Sequence, residues 1–136
     1  MPVSPRPRAT LAGATCVALA AAALTTARAA SVLDFDVWMR AIDKHSVDVQ
    51  KNIDARRTDA AIADAQELAR LYGLMTDWFV ADGHTPDAVD MARSGKALAD
   101  AIAPAIAAKD YDAASKSAVD LAHACNDCHD AHKPFP

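Results

Sequence analysis

The chain has 136 residues, of which 52% are hydrophobic and 24% are charged, and its formal net charge is −4 at pH 7. A chain of this length is expected to form one domain. Its net negative charge argues against the extended basic surface that binding to nucleic acid or anionic lipid requires.

The first 29 residues have the order of a secretory signal peptide. A short basic start is followed by an apolar run over residues 9–24 and then by Ala27-Arg28-Ala29, which has small residues where a signal peptidase reads them. The apolar run is too short to span a bilayer comfortably. We therefore expect residues 1–29 to be cleaved and residues 30–136 to form a periplasmic domain without a membrane span. An uncleaved anchor is the alternative.

Cleavage would change both the charge and the cysteine count. All 18 acidic residues follow residue 29, whereas three of the 14 basic residues precede it, which leaves 11 basic residues and a net charge of −7. A partner protein with a basic docking surface is the natural complement. Cys16 would leave with the signal peptide, so only Cys125 and Cys128 would remain.

Four helices are predicted from the 3.6-residue period of apolar positions and from the residues that interrupt it. They run from about Leu33 to Ala55, from after Thr58 to about Ala81, from about Pro86 to Ala108, and from after Asp110 to a stop at Pro134. Thr85 is expected to cap the third helix at its N-terminus, with Pro86 at the first helical position. Pro104 is expected to kink that helix.

This order predicts an all-α fold, an up-and-down antiparallel four-helix bundle. The expected inward positions are Phe35, Met39, Ile42, Ser46, Val49 and Ile53; Ala61, Ala65, Leu68, Tyr72, Met75 and Phe79; Ala88, Met91, Ala92, Gly95, Ala99, Ile102 and Ile106; and Ala114, Ala118, Leu121, Cys125 and His129. Many of them are alanine, which is too small to fill a bundle core. A bulky cofactor between the helices would fill the remaining volume.

Residues 125–129 read Cys-Asn-Asp-Cys-His, the C-x-x-C-H pattern of covalent haem attachment. On a helix, Cys125 and Cys128 share one face, so both sulfurs can add to the two vinyl groups of one porphyrin. His129 then brings its imidazole to the iron from one side. We therefore expect one covalently attached haem c near the C-terminal helix, with His129 as an axial ligand. Cytochrome assembly takes place outside the cytoplasm, in agreement with the signal peptide.

Three other interpretations of the cysteine pair fit the sequence less well. A disulfide between Cys125 and Cys128 suits an exported protein but does not explain His129. A thioredoxin-like redox pair would need a strand before the motif. A zinc site would need a second pair of ligands, and only His132 is nearby.

The signal peptide, the alanine-rich helices and the haem motif in the last helix together resemble the class II c-type cytochromes, the cytochrome c prime family. The resemblance covers the whole mature chain. In that family the motif commonly continues with a tyrosine and an arginine, where this chain has His132 and Lys133. His132 is expected to pack near the proximal side or the haem edge without binding iron.

The resemblance implies two alternatives for the sixth iron position. Low-spin members of the family place a methionine of the first helix there, and high-spin members leave the site apolar and open. Met39 is the candidate, because it lies about 40° from the centre of the inward face. Ordinary core packing is its alternative role. His45 is the rival ligand, but it lies about 80° from that centre and a partly exposed position is expected.

The leading functional hypothesis is a periplasmic electron carrier, not an enzyme, that works between respiratory or photosynthetic partner proteins. Methionine–histidine ligation would keep the iron six-coordinate in both redox states, so little has to move on electron transfer. One alternative is a protein with five-coordinate iron that binds nitric oxide or carbon monoxide. Another is a haem-bearing structural subunit of a larger complex. A homodimer is left open, with Trp38 and Trp78 at the subunit contact.

Overall fold

The computed structural model describes residues 29–132. It contains four helices, α1 (Val32–Asp54), α2 (Thr58–Asp82), α3 (Pro86–Ala107) and α4 (Tyr111–Ala131), joined by connections of three residues each. Both α1 and α3 pack against α2 and α4. Short connections and this pairing define an up-and-down antiparallel bundle in which α2 and α4 lie on one diagonal. The predicted all-α four-helix bundle is confirmed.

Some predictions fall outside the described part of the chain. Residues 1–28 of the predicted signal peptide lie outside the described residues, and only its last residue, Ala29, is described. Lys133 and Pro134, the predicted helix stop, also lie outside them.

Local side-chain hydrogen bonds fix where two of the helices begin. The Oγ of Ser31 accepts from the backbone N–H of Asp34 at 3.2 Å, and the Asp34 carboxylate accepts from the Ser31 N–H at 2.7 Å, which forms a capping box for α1. The Asp110 carboxylate accepts from the Ala113 N–H at 3.0 Å at the start of α4. Gly83, with φ of 69°, ends α2 in the left-handed region that glycine tolerates best.

The start of α3 is only partly as expected. Thr85 occupies the N-cap position and Pro86 the first turn, but the Thr85 side chain makes no capping hydrogen bond. Its Oγ1 is buried and has no hydrogen-bond partner among the described residues. The fixed φ of Pro86 and the acidic Asp87 in the first turn are therefore the features that favour the helix start. The helix then continues through Pro104 to Ala107.

The antiparallel course gives the bundle two unlike ends. At one end Ile53, Ala61, Ile106 and Ala114 are at most 2% exposed and close the core. The middle is filled by large side chains that are fully buried, Val49, Leu68, Leu71, Ile102 and Leu121. At the other end, the first halves of α1 and α3 lie beside the second halves of α2 and α4, and several of the large side chains there are only half-buried. This second end is the less completely filled one.

Most of the predicted inward positions are buried, and the exceptions have a common location. Phe35, Met39, Phe79, Met91 and Cys125 are only half-buried, and His129 is exposed. All six lie at the less filled end. Leu71 and Val89 are buried although they were not among the predicted inward positions.

Candidate functional site

A cavity of about 220 Å³ lies at the less filled end of the bundle. Every helix contributes to its walls, which are lined by Met39, Ile42, Asp43, Ser46, Val47, Gln50, Tyr72, Met75, Phe79, Met91, Ala92, Ala122, Ala124, Cys125, Asn126, Cys128 and His129. More than half of these side chains are apolar. An apolar concavity with a few polar groups is the usual form of a ligand or cofactor site.

The three residues of the C-x-x-C-H motif all line this cavity from α4, as their spacing predicted. Cys125 and Cys128 are half-buried, and within the described chain both are free thiols. His129 borders the cavity but its side chain is exposed, so the prediction that it is an inward residue is wrong in this respect. The physical reason is its position: α4 ends at Ala131, only two residues further on, where the other helices cover it less.

Tyr72 connects the motif to the opposite side of the bundle. Its hydroxyl lies 3.0 Å from the Sγ of Cys125, and its side chain is 8% exposed. Burial raises the pKa of Tyr72, and the adjacent Cys125 adds to the effect, so the hydroxyl keeps its proton. Burial also raises the pKa of the Cys128 thiol, with smaller contributions from Cys125 and Asp87. The cavity therefore favours the neutral forms of Tyr72 and Cys128.

Gly95 of α3 determines where the Tyr72 ring can lie. A Cβ built on Gly95 would stand 2.3 Å from the Cε1 atom of Tyr72 and 2.8 Å from two further ring atoms. No real Cβ atom approaches a ring so closely, so the ring occupies the space that a side chain at residue 95 would need. Gly73 differs, because a Cβ there would meet only the Cε of Lys96 at 3.8 Å, an ordinary contact.

Three methionines line the cavity, one from each of the first three helices. Met39 is half-buried and packs against the core, Met75 is 5% exposed, and Met91 is half-buried. The lining thus includes Met39 from α1 together with His129 from α4, the two residues that the sequence proposed as iron ligands.

His45, the rival ligand, is held elsewhere. Its Nδ1 lies 2.7 Å from the Oδ1 of Asp64 on α2, and the second carboxylate oxygen of Asp64 accepts from the Asn52 side-chain amide at 2.7 Å. These contacts lie at the packing face between α1 and α2, and the lining of the cavity does not include His45. The partly exposed position expected for His45 is confirmed, since its side chain is 23% exposed.

His132 has a partner that the sequence did not predict. Its Nε2 lies 2.8 Å from the Oδ2 of Asp87, so it joins the end of α4 to the first turn of α3. His132 is not part of the cavity lining. His123, in contrast, is exposed.

Ser46 is a buried polar residue of the cavity wall. Its side chain is 8% exposed, and its Oγ has no hydrogen-bond partner among the described residues. A buried hydroxyl without a partner costs about 1–3 kcal/mol. A cavity occupant with a polar atom within reach would remove that cost.

Sequence reasoning missed two features of this site. The contact between Tyr72 and Cys125 joins residues 53 positions apart. The apolar period within each helix does not predict which side chains of two different helices meet. The close approach of Tyr72 to Gly95 was also missed, although a glycine at an inward helix position is a signal that something packs closely there.

Comparisons with protein-family models, curated proteins and solved structures give no significant match for this chain. Within residues 29–132, none of the helices combines the length and the apolar character needed to cross a membrane.

Proposed function

We propose that the protein is a c-type cytochrome with one haem held in the cavity by thioether bonds to Cys125 and Cys128. The observation that carries the proposal is that both cysteines, His129 and Met39 line a single cavity at one end of a four-helix bundle. The donor set suits haem iron, which binds imidazole nitrogen and thioether sulfur. The apolar wall suits a porphyrin face, and the buried Ser46 hydroxyl offers a hydrogen bond.

The proposed iron ligands are His129 from α4 and Met39 from α1. Because α1 packs directly on α4, the two side chains approach the same cavity from neighbouring helices. His45 has a carboxylate partner on α2, so its recruitment would require breaking the contact with Asp64. Met39 is therefore preferred over His45 as the sixth ligand.

Electron transfer is the proposed role. The bound haem would supply an iron that cycles between the ferric and ferrous states. The chain would hold this group through Cys125 and Cys128, offer His129 and Met39 to the iron, and exclude water with Ile42, Met75 and Phe79. Fixed ligands on packed helices leave little to rearrange when an electron moves. The rival function, binding of nitric oxide or carbon monoxide, requires an iron that Met39 does not bind.

The proposed setting is the periplasm, and the proposed partners are redox proteins with a basic docking surface. Asp43 lines the cavity and Asp127 is exposed beside the motif, so an acidic rim would face the partner. Charge complementarity of this kind increases the association rate and depends on ionic strength. Peptide sequencing of the exported protein should place the mature N-terminus at Ala30, whereas retention of residues 1–28 would indicate an anchored protein.

Acid–acetone extraction of the denatured protein tests the proposal. Haem should stay with the unaltered chain and be lost when Cys125 and Cys128 are both changed to Ala. His123→Ala is the matched control, because His123 is an exposed residue of the same helix that does not line the cavity, and this variant should retain the haem. Free extraction of haem from the unaltered protein, or an exported protein that carries none, would refute covalent attachment.

A further inference from the structure

The Tyr72 side chain passes α3 and reaches diagonally across the bundle. It belongs to α2, and Cys125 belongs to α4, the helix diagonally opposite α2 in the bundle. Its hydroxyl nevertheless lies 3.0 Å from the Cys125 sulfur. The centre of a four-helix bundle is ordinarily filled by side chains from all four helices. A tyrosine can cross it only where a neighbouring helix leaves room for the ring.

Gly95 provides that room. Its missing Cβ leaves the space that the Tyr72 ring occupies, since a Cβ would lie 2.3–2.8 Å from three ring atoms. Any larger residue at position 95 would displace the ring and with it the hydroxyl. The approach of Tyr72 to Cys125 therefore depends on α3 as well as on α2 and α4.

Covalent attachment would fix the direction of this hydrogen bond. In the free thiol either group can donate. When the Cys125 S–H adds to a vinyl group, a sulfur–carbon bond forms and the proton goes to the other vinyl carbon, with no net oxidation or reduction. The resulting thioether has no proton, so Tyr72 becomes the only donor of the pair. The raised pKa of Tyr72 keeps the required proton on its oxygen.

We infer that Tyr72 is a positioning residue for the haem: its hydroxyl donates a hydrogen bond to the thioether sulfur of Cys125, and the missing Cβ of Gly95 leaves the ring the space to do so. The inference rests on the proposed function. The donated hydrogen is the positive end of the O–H dipole and would point at the sulfur that carries the porphyrin. It therefore favours the more electron-rich ferrous state and raises the reduction potential, as hydrogen bonds around a metal centre do.

Tyr72→Phe in the haem-loaded, full-length protein tests the inference. The variant should retain covalent haem, show a lower reduction potential and shift the carbon–sulfur stretching band of the thioether in the resonance Raman spectrum. Tyr111→Phe is the matched control: it also removes a tyrosine hydroxyl, 3.1 Å from the Oγ1 of Thr58 at the other end of the bundle. It should leave the potential and the Raman band unchanged.

A second pair of variants keeps Tyr72 itself. Gly95→Ala should reproduce the lower potential because it moves the ring, whereas Gly73→Ala, whose Cβ would make only an ordinary contact with Lys96, should not. If Tyr72→Phe fails to fold, this pair decides the question. An unaltered protein without covalent haem refutes the proposed function. If covalent haem is present but Tyr72→Phe or Gly95→Ala has the wild-type potential and thioether band, only the role of Tyr72 is refuted.

Discussion

The Nδ1 of His45 lies 2.7 Å from the Oδ1 of Asp64, which joins α1 to α2 along their packing face. The two side chains are 23% and 13% exposed, so water has only limited access to the contact. Asp64 is held in turn by the Asn52 amide. His45 is thus a structural partner of α2, and Met39 remains the candidate ligand on α1.

His45→Ala is expected to lower the free energy of unfolding by about 1 kcal/mol, the usual net contribution of one partly buried hydrogen bond. The iron spectrum should not change. Denaturant unfolding and visible absorption of the haem-loaded protein measure the two effects. His84→Ala is the control, because His84 is exposed in the connection before α3 and should have little effect on either. A change of spin state in His45→Ala would make His45 an iron ligand after all.

His129→Ala is expected to abolish the native haem spectrum even where both thioether bonds still form. The reason is that His129 is the histidine that lines the cavity within the described chain. His132→Ala is the matched variant: it removes the contact with Asp87 and should retain the native spectrum. Loss of the spectrum in His132→Ala, with His129→Ala unaffected, would transfer the axial role to His132.

Leu68→Ala tests the packed part of the bundle. Leu68 is completely buried, so truncation should lower the free energy of unfolding by about 2–5 kcal/mol through lost burial and a new cavity. Val119→Ala is the control, since that side chain is 43% exposed and its truncation should change stability by only about 0.5 kcal/mol. Denaturant unfolding gives both values. Equal losses in the two variants would contradict the assignment of Leu68 to the core.

The helix boundaries could be predicted closely because local chemistry sets them. The prediction placed the first helix at Leu33 to Ala55, and α1 is Val32–Asp54. Pro86 gave the start of α3 directly. The shared cavity lining of Met39, Cys125 and His129 also followed from helical spacing combined with an antiparallel course.

Burial at the edge of each apolar stripe could not be predicted in the same way. Leu71 and Val89 are buried because the buried faces of α2 and α3 are wider than the apolar period predicts. The width of a buried face depends on how the neighbouring helices pack against it. His129 is exposed because α4 ends near it. The contact between His132 and Asp87 depends on where the end of α4 meets the start of α3. The periodicity of a single helix does not predict how two helix ends meet.

The last prediction concerns Met39, on which the choice between electron transfer and gas binding depends. If its thioether binds the iron opposite His129, the ferric protein is low-spin and has the weak near-red band of sulfur–iron ligation. Met39→Ala should remove that band, give high-spin iron, allow carbon monoxide to bind the ferrous form, and lower the reduction potential, because a methionine ligand raises it. Met91→Ala is the matched control, since Met91 lines the same cavity and is also half-buried; it should keep the low-spin spectrum. A high-spin ferric spectrum in the unaltered protein would make Met39 a core residue and favour the gas-binding function.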